Sequence, residues 1–128
     1  ATKEALTVGI AAAKVGNWTG DVGAAIEQVA RKYGFGIVKA LGGHGIGRRL
    51  HQEPLVPNFG PVKSGVKLAA GMVLAIEPML TLGSGAVFSA PDDFTVKTRD
   101  HSRAAHFEHT IAITDSGPEI LTKLETKS

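Results

Sequence analysis

Cysteine is absent from this chain, which has 128 residues and a formal net charge of +2. The absence of thiols excludes a disulfide framework and a thiolate metal site, and it is compatible with a reducing compartment. We therefore expect a cytoplasmic protein in which any metal ion is held by histidine and carboxylate groups.

Dense charge of one sign and long apolar runs are also absent. The pair Arg48 and Arg49 is too small a basic patch to predict nucleic-acid binding. No stretch approaches the length of a membrane span, and Lys3 and Glu4 precede a broken apolar stretch, unlike the core of a signal peptide. The sequence thus predicts neither a nucleic-acid partner nor a membrane association.

Two helices are predicted at the start of the chain. Apolar residues recur at helical spacing over residues 1–15 and again over residues 22–33. Thr19 or Asp21 could cap the second helix at its start, and Gly34 is a plausible helix end.

Short strands are predicted for most of the remaining chain. Three prolines in residues 54–61 predict a stiff loop without regular pairing. The order of elements favours a single α+β domain over residues 1–128, with two helices packed on one face of a mainly antiparallel sheet. The predicted strands cover residues 36–40, 66–68, 72–76, 86–88, 94–98, 106–114 and 119–122.

The glycine-rich run of residues 42–47 contains His44, and His51 follows seven residues later. This composition is poor for a helix and for a strand. We therefore expect the run to present functional side chains rather than to pack in the core. An isolated histidine is more often satisfied or solvated than metal-bound, but the flanking glycines indicate a close approach to the backbone.

Two glutamates could join His44. Glu77 follows the apolar run 72–76, where an ionised carboxylate needs a partner unless the strand ends there and the side chain emerges into water. Glu108 lies on the strand 106–114, on the face opposite Ile111, and taken alone it is best interpreted as part of a solvated outer face. One imidazole and two carboxylates would suit Mn, Fe, Co or Zn, although no two of these residues lie close in sequence.

Three ordered motifs resemble those of the type I methionine aminopeptidases. Residues 43–48 with His51 and Pro54 are similar to the family's central motif, residues 71–79 to its second and residues 107–114 to its third. The related prolidases and creatinases share the glycine-rich run, but residues 76–79 and 107–110 favour the aminopeptidase branch. The resemblance covers nearly the whole chain and implies the C-terminal half of a catalytic domain, with one half of the pita-bread fold.

The resemblance implies a metal-dependent release of the initiator Met from nascent peptides, a step of protein maturation. It assigns His44, Glu77 and Glu108 as metal ligands, with Glu77 also transferring protons and Glu108 bridging two ions. The bound metal would generate the nucleophile by lowering the pKa of water. The implied metal is Co, Mn, Fe or Zn, with two ions per site in the family.

The resemblance also implies the residues that contact the substrate. His51 would hydrogen-bond the scissile carbonyl and the charge that develops on it. Leu50 and Phe94 align with the side-chain pocket, where the family usually has aromatic residues. His106 stands where the family commonly has glutamine, which affects the expected shape of the pocket more than the chemistry.

No segment of the chain resembles the strands that carry the family's two aspartate ligands. Asp92 and Asp93 are adjacent in a turn and cannot replace two ligands on a strand. We therefore expect one ion or none, and little activity, from this chain alone. An N-terminal half or a second copy of the chain would cover the exposed sheet. The alternative is a non-catalytic pita-bread-like binding or assembly module that has lost the dinuclear site.

Overall fold

The computed structural model describes residues 1–48, 52–92 and 95–122. Over these residues, two helices precede ten short strands. The helices are α1 (Thr2–Ala12) and α2 (Thr19–Tyr33). The strands are β1 (Gly36–Ile37), β2 (Gly43–Gly45), β3 (Gln52–Val56), β4 (Val73–Ile76), β5 (Met79–Thr81), β6 (Val87–Ser89), β7 (Val96–Thr98), β8 (Ala104–His106), β9 (His109–Thr114) and β10 (Gly117–Ile120).

The strands form three antiparallel sheets. The largest has the order β10-β9-β4-β2-β3, and a smaller sheet has the order β1-β5-β8. Strands β6 and β7 pair as a hairpin. The predicted α+β class with a mainly antiparallel sheet is therefore confirmed.

Both ends of α2 follow from local sequence. The Trp18 amide donates to Asp21 Oδ2 at 2.7 Å, so Asp21 serves the helix start as predicted. Gly34 closes the helix in the left-handed conformation, with a φ of 69°. Neither described helix is long and apolar enough to cross a bilayer.

The helices cover one face of the five-stranded sheet. Ile10 and Ile26 belong to the same buried cluster as Leu74, Ile76 and Ile111. Burial of each such side chain contributes about 1.5–3 kcal/mol. The predicted face assignment is confirmed, because the face of β9 that carries Ile111 packs on the helices.

The opposite face of this sheet carries a row of register partners. Leu55 pairs with His44, His44 with Ala75, and Ala75 with Thr110. Directly opposed residues of antiparallel strands point to the same side. His44 therefore lies on the face away from the helices.

The proline-rich stretch was predicted to lack regular pairing, and this prediction is wrong at its start. Pro54 lies in β3, which pairs with β2 at the edge of the sheet. An edge strand tolerates proline because one side of it needs no ladder hydrogen bond. The register of β2 and β3 also shifts between His44 and Gly45.

The glycine-rich run was predicted to be poor for a strand, yet β2 lies between β3 and β4. A Cβ added at Gly43 would lie 2.1 Å from the carbonyl oxygen of Ala75, and one at Gly45 would lie 2.3 Å from that of Glu53. The neighbouring strands thus approach β2 so closely that glycine is required.

Other predicted strands are shorter in the structure or divided. The predicted strand 106–114 is two strands, because Phe107 and Glu108 separate β8 from β9. Residues 66–68 contribute only an isolated bridge between Lys67 and Trp18. The first strand covers only Gly36–Ile37, and the predicted strand 94–98 begins at a residue outside the described ranges.

Candidate metal centre

Three strands of the five-stranded sheet position the candidate ligands. His44 lies in β2, Glu77 directly follows β4, and Glu108 directly precedes β9. Because β2, β4 and β9 are neighbours, the residues meet although they are far apart in sequence. One ligand atom from each of the three residues lies within 4.8 Å of the other two.

The His44 ring is oriented by its own strand. Its Nδ1 lies 3.1 Å from the carbonyl oxygen of Gly45, which can only accept a hydrogen bond, so Nδ1 carries the proton. In the neutral ring, Nε2 then presents its lone pair, and Nε2 lies 3.3 Å from Glu77 Oε1. In this tautomer a histidine can bind a metal ion through Nε2.

Glu77 remains shielded although β4 ends just before it. Its side chain is 13% exposed, so the interpretation in which Glu77 emerges into water is wrong. Burial raises the pKa of Glu77, the negative charge of Glu108 raises it further, and His106 and His44 oppose both effects. Two carboxylates brought together in this way favour the approach of a cation.

His106 and Asn58 also hold Glu77, and the sequence did not predict either contact. His106 Nε2 lies 3.1 Å from Glu77 Oε2. The Asn58 side chain is buried, and its Nδ2 donates to the backbone carbonyl of Glu77 at 3.1 Å. Two features of the sequence could have indicated these contacts. Asn58 is a polar residue in the proline-rich stretch, and His106 is a histidine two positions before Glu108.

A cavity of about 820 Å³ opens beside these residues. His44, Glu77 and His106 form part of its polar lining, and several apolar side chains line the remainder. This combination of an apolar wall with a few convergent polar groups is typical of small-molecule and side-chain pockets. The apolar lining includes Val38, Leu41, Met79, Val87, Val96 and Ala105.

Comparison with known families identifies the chain. Residues 1–115 match metallopeptidase family M24. The chain belongs to this family.

Curated relatives of this M24 chain are methionine aminopeptidases. Methionine aminopeptidase 1 of Mycobacterium tuberculosis is 56% identical over 128 residues, which cover 95% of this chain and 48% of the relative. The methionine aminopeptidase of Aquifex aeolicus is 52% identical, covering 97% and 49%. The predicted resemblance is therefore confirmed, and the chain spans about half the length of the curated relatives it matches.

Solved structures of the family share the fold of the M24 chain. A methionine aminopeptidase from Thermotoga maritima superposes with a TM-score of 0.92 at 46% identity, covering 96% of this chain and 49% of that one. A prolidase from Pyrococcus furiosus superposes with a TM-score of 0.72 at 25% identity, covering 98% and 31%. The chain thus has one half of the pita-bread fold, as predicted.

The donor set of the M24 chain fits a divalent metal ion. It combines an imidazole in the coordinating tautomer with two carboxylates, the ligand types that borderline metals accept. The ligand roles of His44, Glu77 and Glu108 remain predictions that this geometry supports. The predicted substrate residues His51, Leu50 and Phe94 lie outside the described residues.

Proposed function

We propose that this chain forms part of a methionine aminopeptidase that removes the initiator Met from nascent peptides. The convergence of His44, Glu77 and Glu108 within 4.8 Å carries the proposal. The names of the curated relatives support it, because each of those cited is a methionine aminopeptidase. A cytoplasmic location remains a prediction that rests on the absence of cysteine.

The three residues would hold a Co, Mn, Fe or Zn ion. A bound ion would supply a Lewis acid and lower the pKa of a water molecule. His44 would present Nε2 in a fixed orientation, because Nδ1 is committed to the Gly45 carbonyl. We propose that Glu77 would also move a proton to or from the attacking water, the role that the family resemblance assigns to it.

The apolar cavity would receive the side chain of the N-terminal residue. Met79, Val87 and Val96 contribute an unbranched or aliphatic lining that suits methionine. We propose that Leu50 and Phe94 complete this pocket and that His51 hydrogen-bonds the scissile carbonyl.

The chain is proposed to act with a partner half. It offers three candidate ligands in its described part, fewer charged groups than a pair of ions would require. We propose that residues 1–128 form a single domain equivalent to the C-terminal half of the enzyme. An N-terminal half would complete the site, and a homodimer is the alternative arrangement. Alone, the chain is expected to bind one ion or none and to have little activity.

A non-catalytic binding or assembly module is the second candidate. The exposure of Glu108 favours it, because one of the three ligands is open to water in the chain by itself. The near-burial of Glu77 and His44 argues against it, since a module without metal would gain nothing from these buried polar groups.

Metal content and peptide hydrolysis together test the proposal. Metal would be quantified in the purified chain, in His44→Ala and in the control His101→Asn. His101 lines the same cavity but lies outside the ligand group found among the described residues, and asparagine tolerates its φ of 61°. Release of Met from a Met-Ala peptide would be followed with and without the N-terminal half of the Mycobacterium tuberculosis relative.

We expect at most one ion per chain, whose binding His44→Ala abolishes and His101→Asn preserves, with activity appearing only after the second half is added. Strong activity of the chain alone would contradict the need for a partner half. Absence of both metal and rescue would favour the binding module.

A further inference from the structure

We infer that His106 is a positioning residue that holds the Glu77 carboxylate in its ligand orientation. The inference rests on the proposed metal centre and deepens it. It starts from the contact between His106 Nε2 and Glu77 Oε2, at 3.1 Å.

The two oxygens of Glu77 face two different imidazoles. Oε1 lies 3.3 Å from His44 Nε2, while Oε2 is taken by His106. Because a carboxylate is planar, fixing Oε2 also fixes the direction of Oε1. The contact with His106 therefore keeps Oε1 directed towards His44 and the position that a metal would occupy.

Strand pairing fixes the backbone position of His106. His106 ends β8 and pairs in register with Met79 of β5, two residues after Glu77. Strands β5 and β8 belong to the smaller sheet, whereas His44 lies in the larger one. Glu77 lies where the chain passes from β4 to β5, so its side chain lies between one histidine of each sheet.

His106 acts on Glu77 rather than on the metal. Within the described ranges, the compact ligand group consists of His44, Glu77 and Glu108, and His106 approaches Glu77 from outside it. Glu108 repels the Glu77 carboxylate, and a glutamate side chain has several rotamers into which it could escape. The hydrogen bond from His106 prevents this escape before any ion is bound.

Cobalt affinity measures this role. The Co²⁺ dissociation constant of the whole chain would be measured by calorimetry for the wild type, His106→Ala, His106→Gln and the control His101→Asn. Loss of a residue that orients a ligand typically costs 10–100-fold in metal affinity, so we expect at least about a tenfold rise for His106→Ala. His106→Gln should stay within about threefold of the wild type, because its amide can still donate to Oε2.

The visible absorption of bound Co²⁺ separates positioning from direct ligation. The band shape should be the same in the wild type and in His106→Gln, because the ligands are unchanged. A changed band would show that His106 itself coordinates. A His106→Gln variant as weak as His106→Ala would show that a hydrogen bond to Oε2 is not what supports the site, and either result would overturn the inference. Unchanged affinity in His106→Ala would overturn it equally.

Crystal structures without metal test the inference independently of the proposed function. Glu77 should keep its position in His106→Gln and swing away from His44 in His106→Ala. If the wild type binds no Co²⁺ either alone or with the N-terminal half added, the proposed metal centre fails, while these structures still decide whether His106 holds Glu77. An unmoved Glu77 in His106→Ala would refute the positioning role.

Discussion

Glu77 illustrates at the scale of one residue how a site is kept ready for a cation. Its carboxylate is shielded from water, faces a second carboxylate and lies 3.3 Å from the His44 imidazole and 3.1 Å from that of His106. Its backbone carbonyl accepts a hydrogen bond from Asn58. These contacts hold an unfavourable charge in place, which is a common arrangement where binding or catalysis has a cost in stability.

Replacing Glu77 by glutamine should change how stability depends on pH in the metal-free chain. The folded pKa of Glu77 is raised above its ordinary value of 4.5, so the folded state binds this proton more tightly than the unfolded state. Stability should therefore fall as the pH rises from 4.5 through the raised pKa, and Glu77→Gln should lack this component. The measurement is the melting temperature of both proteins in the presence of a chelator, at pH values across this window. Parallel curves for the two proteins would contradict the prediction.

Asn58→Ala should weaken both the fold and the metal centre. Asn58 is buried, and its loss leaves the Glu77 carbonyl without this donor, which should cost about 1–3 kcal/mol of the free energy of unfolding. We also expect weaker Co²⁺ binding, because the Glu77 backbone is released.

Asn17→Ala is the matched control for Asn58→Ala. Asn17 Nδ2 donates to the carbonyl of Ala12 at 2.8 Å, at the end of α1. Denaturant unfolding should show a loss of stability in both variants, whereas calorimetry should show weaker Co²⁺ binding only for Asn58→Ala. Equal cobalt affinities in the two variants would rule out the second role of Asn58.

The close packing of β2 between its neighbours is the decisive feature at the scale of elements. His44 can face Glu77 only because β2 lies directly against β4, with the backbones too close for a side chain at Gly43. The glycines that flank His44 thus serve the chain's own strand contacts. The flanking glycines predict a close approach to this backbone, and the strands β3 and β4 make that approach.

Gly43→Ala should destabilise the chain strongly. Its Cβ would meet the Ala75 carbonyl oxygen at 2.1 Å, and overpacking of this kind typically costs about 1–3 kcal/mol or more. Gly60→Ala is the control, because its Cβ would come no nearer than 3.2 Å, to the Ala24 side chain. Urea unfolding should show the difference, and equal midpoints for the two variants would disprove the requirement for glycine in β2.

At the scale of the whole molecule, the helices cover one face of the five-stranded sheet, and the opposite face is open at its edge strand. The helices cover the side of Leu74 and Ile111, while the row through His44 ends at Leu55, which is 67% exposed on the edge strand. Leu55 pairs in register with His44, so a partner half that completes the proposed metal centre would lie close to it.

Leu55→Lys should weaken binding of the proposed N-terminal half. A lysine at this position would place a charge on the open face, and we expect at least about a tenfold loss of affinity, equivalent to about 1.4 kcal/mol. Val62→Lys is the control. Val62 is similarly exposed, at 61%, but its loop contacts α2, because the backbone amide of the adjacent Lys63 donates to Asp21. Titration of the labelled half into each variant provides the measurement. Equal losses in the two variants would place the partner elsewhere.

Local pattern in the sequence determined the helices, the fold class and the identity of the candidate ligands. Periodicity and a capping Asp21 define α2 within the chain itself, and the motifs around His44, Glu77 and Glu108 are each short and contiguous. Such features depend on neighbours in sequence, so they can be predicted without a structure.

Only the tertiary structure decided how these residues meet. Pairing of Pro54 in β3, the break at Glu108 between β8 and β9, and the contact of His106 with Glu77 all depend on the register between distant strands. Register is set by packing over the whole sheet and by backbones that lie too close together for a side chain to fit between them. No local sequence pattern encodes how closely residues on different strands approach each other. For this reason the three ligands can be predicted from their motifs, whereas the residue that orients Glu77 cannot.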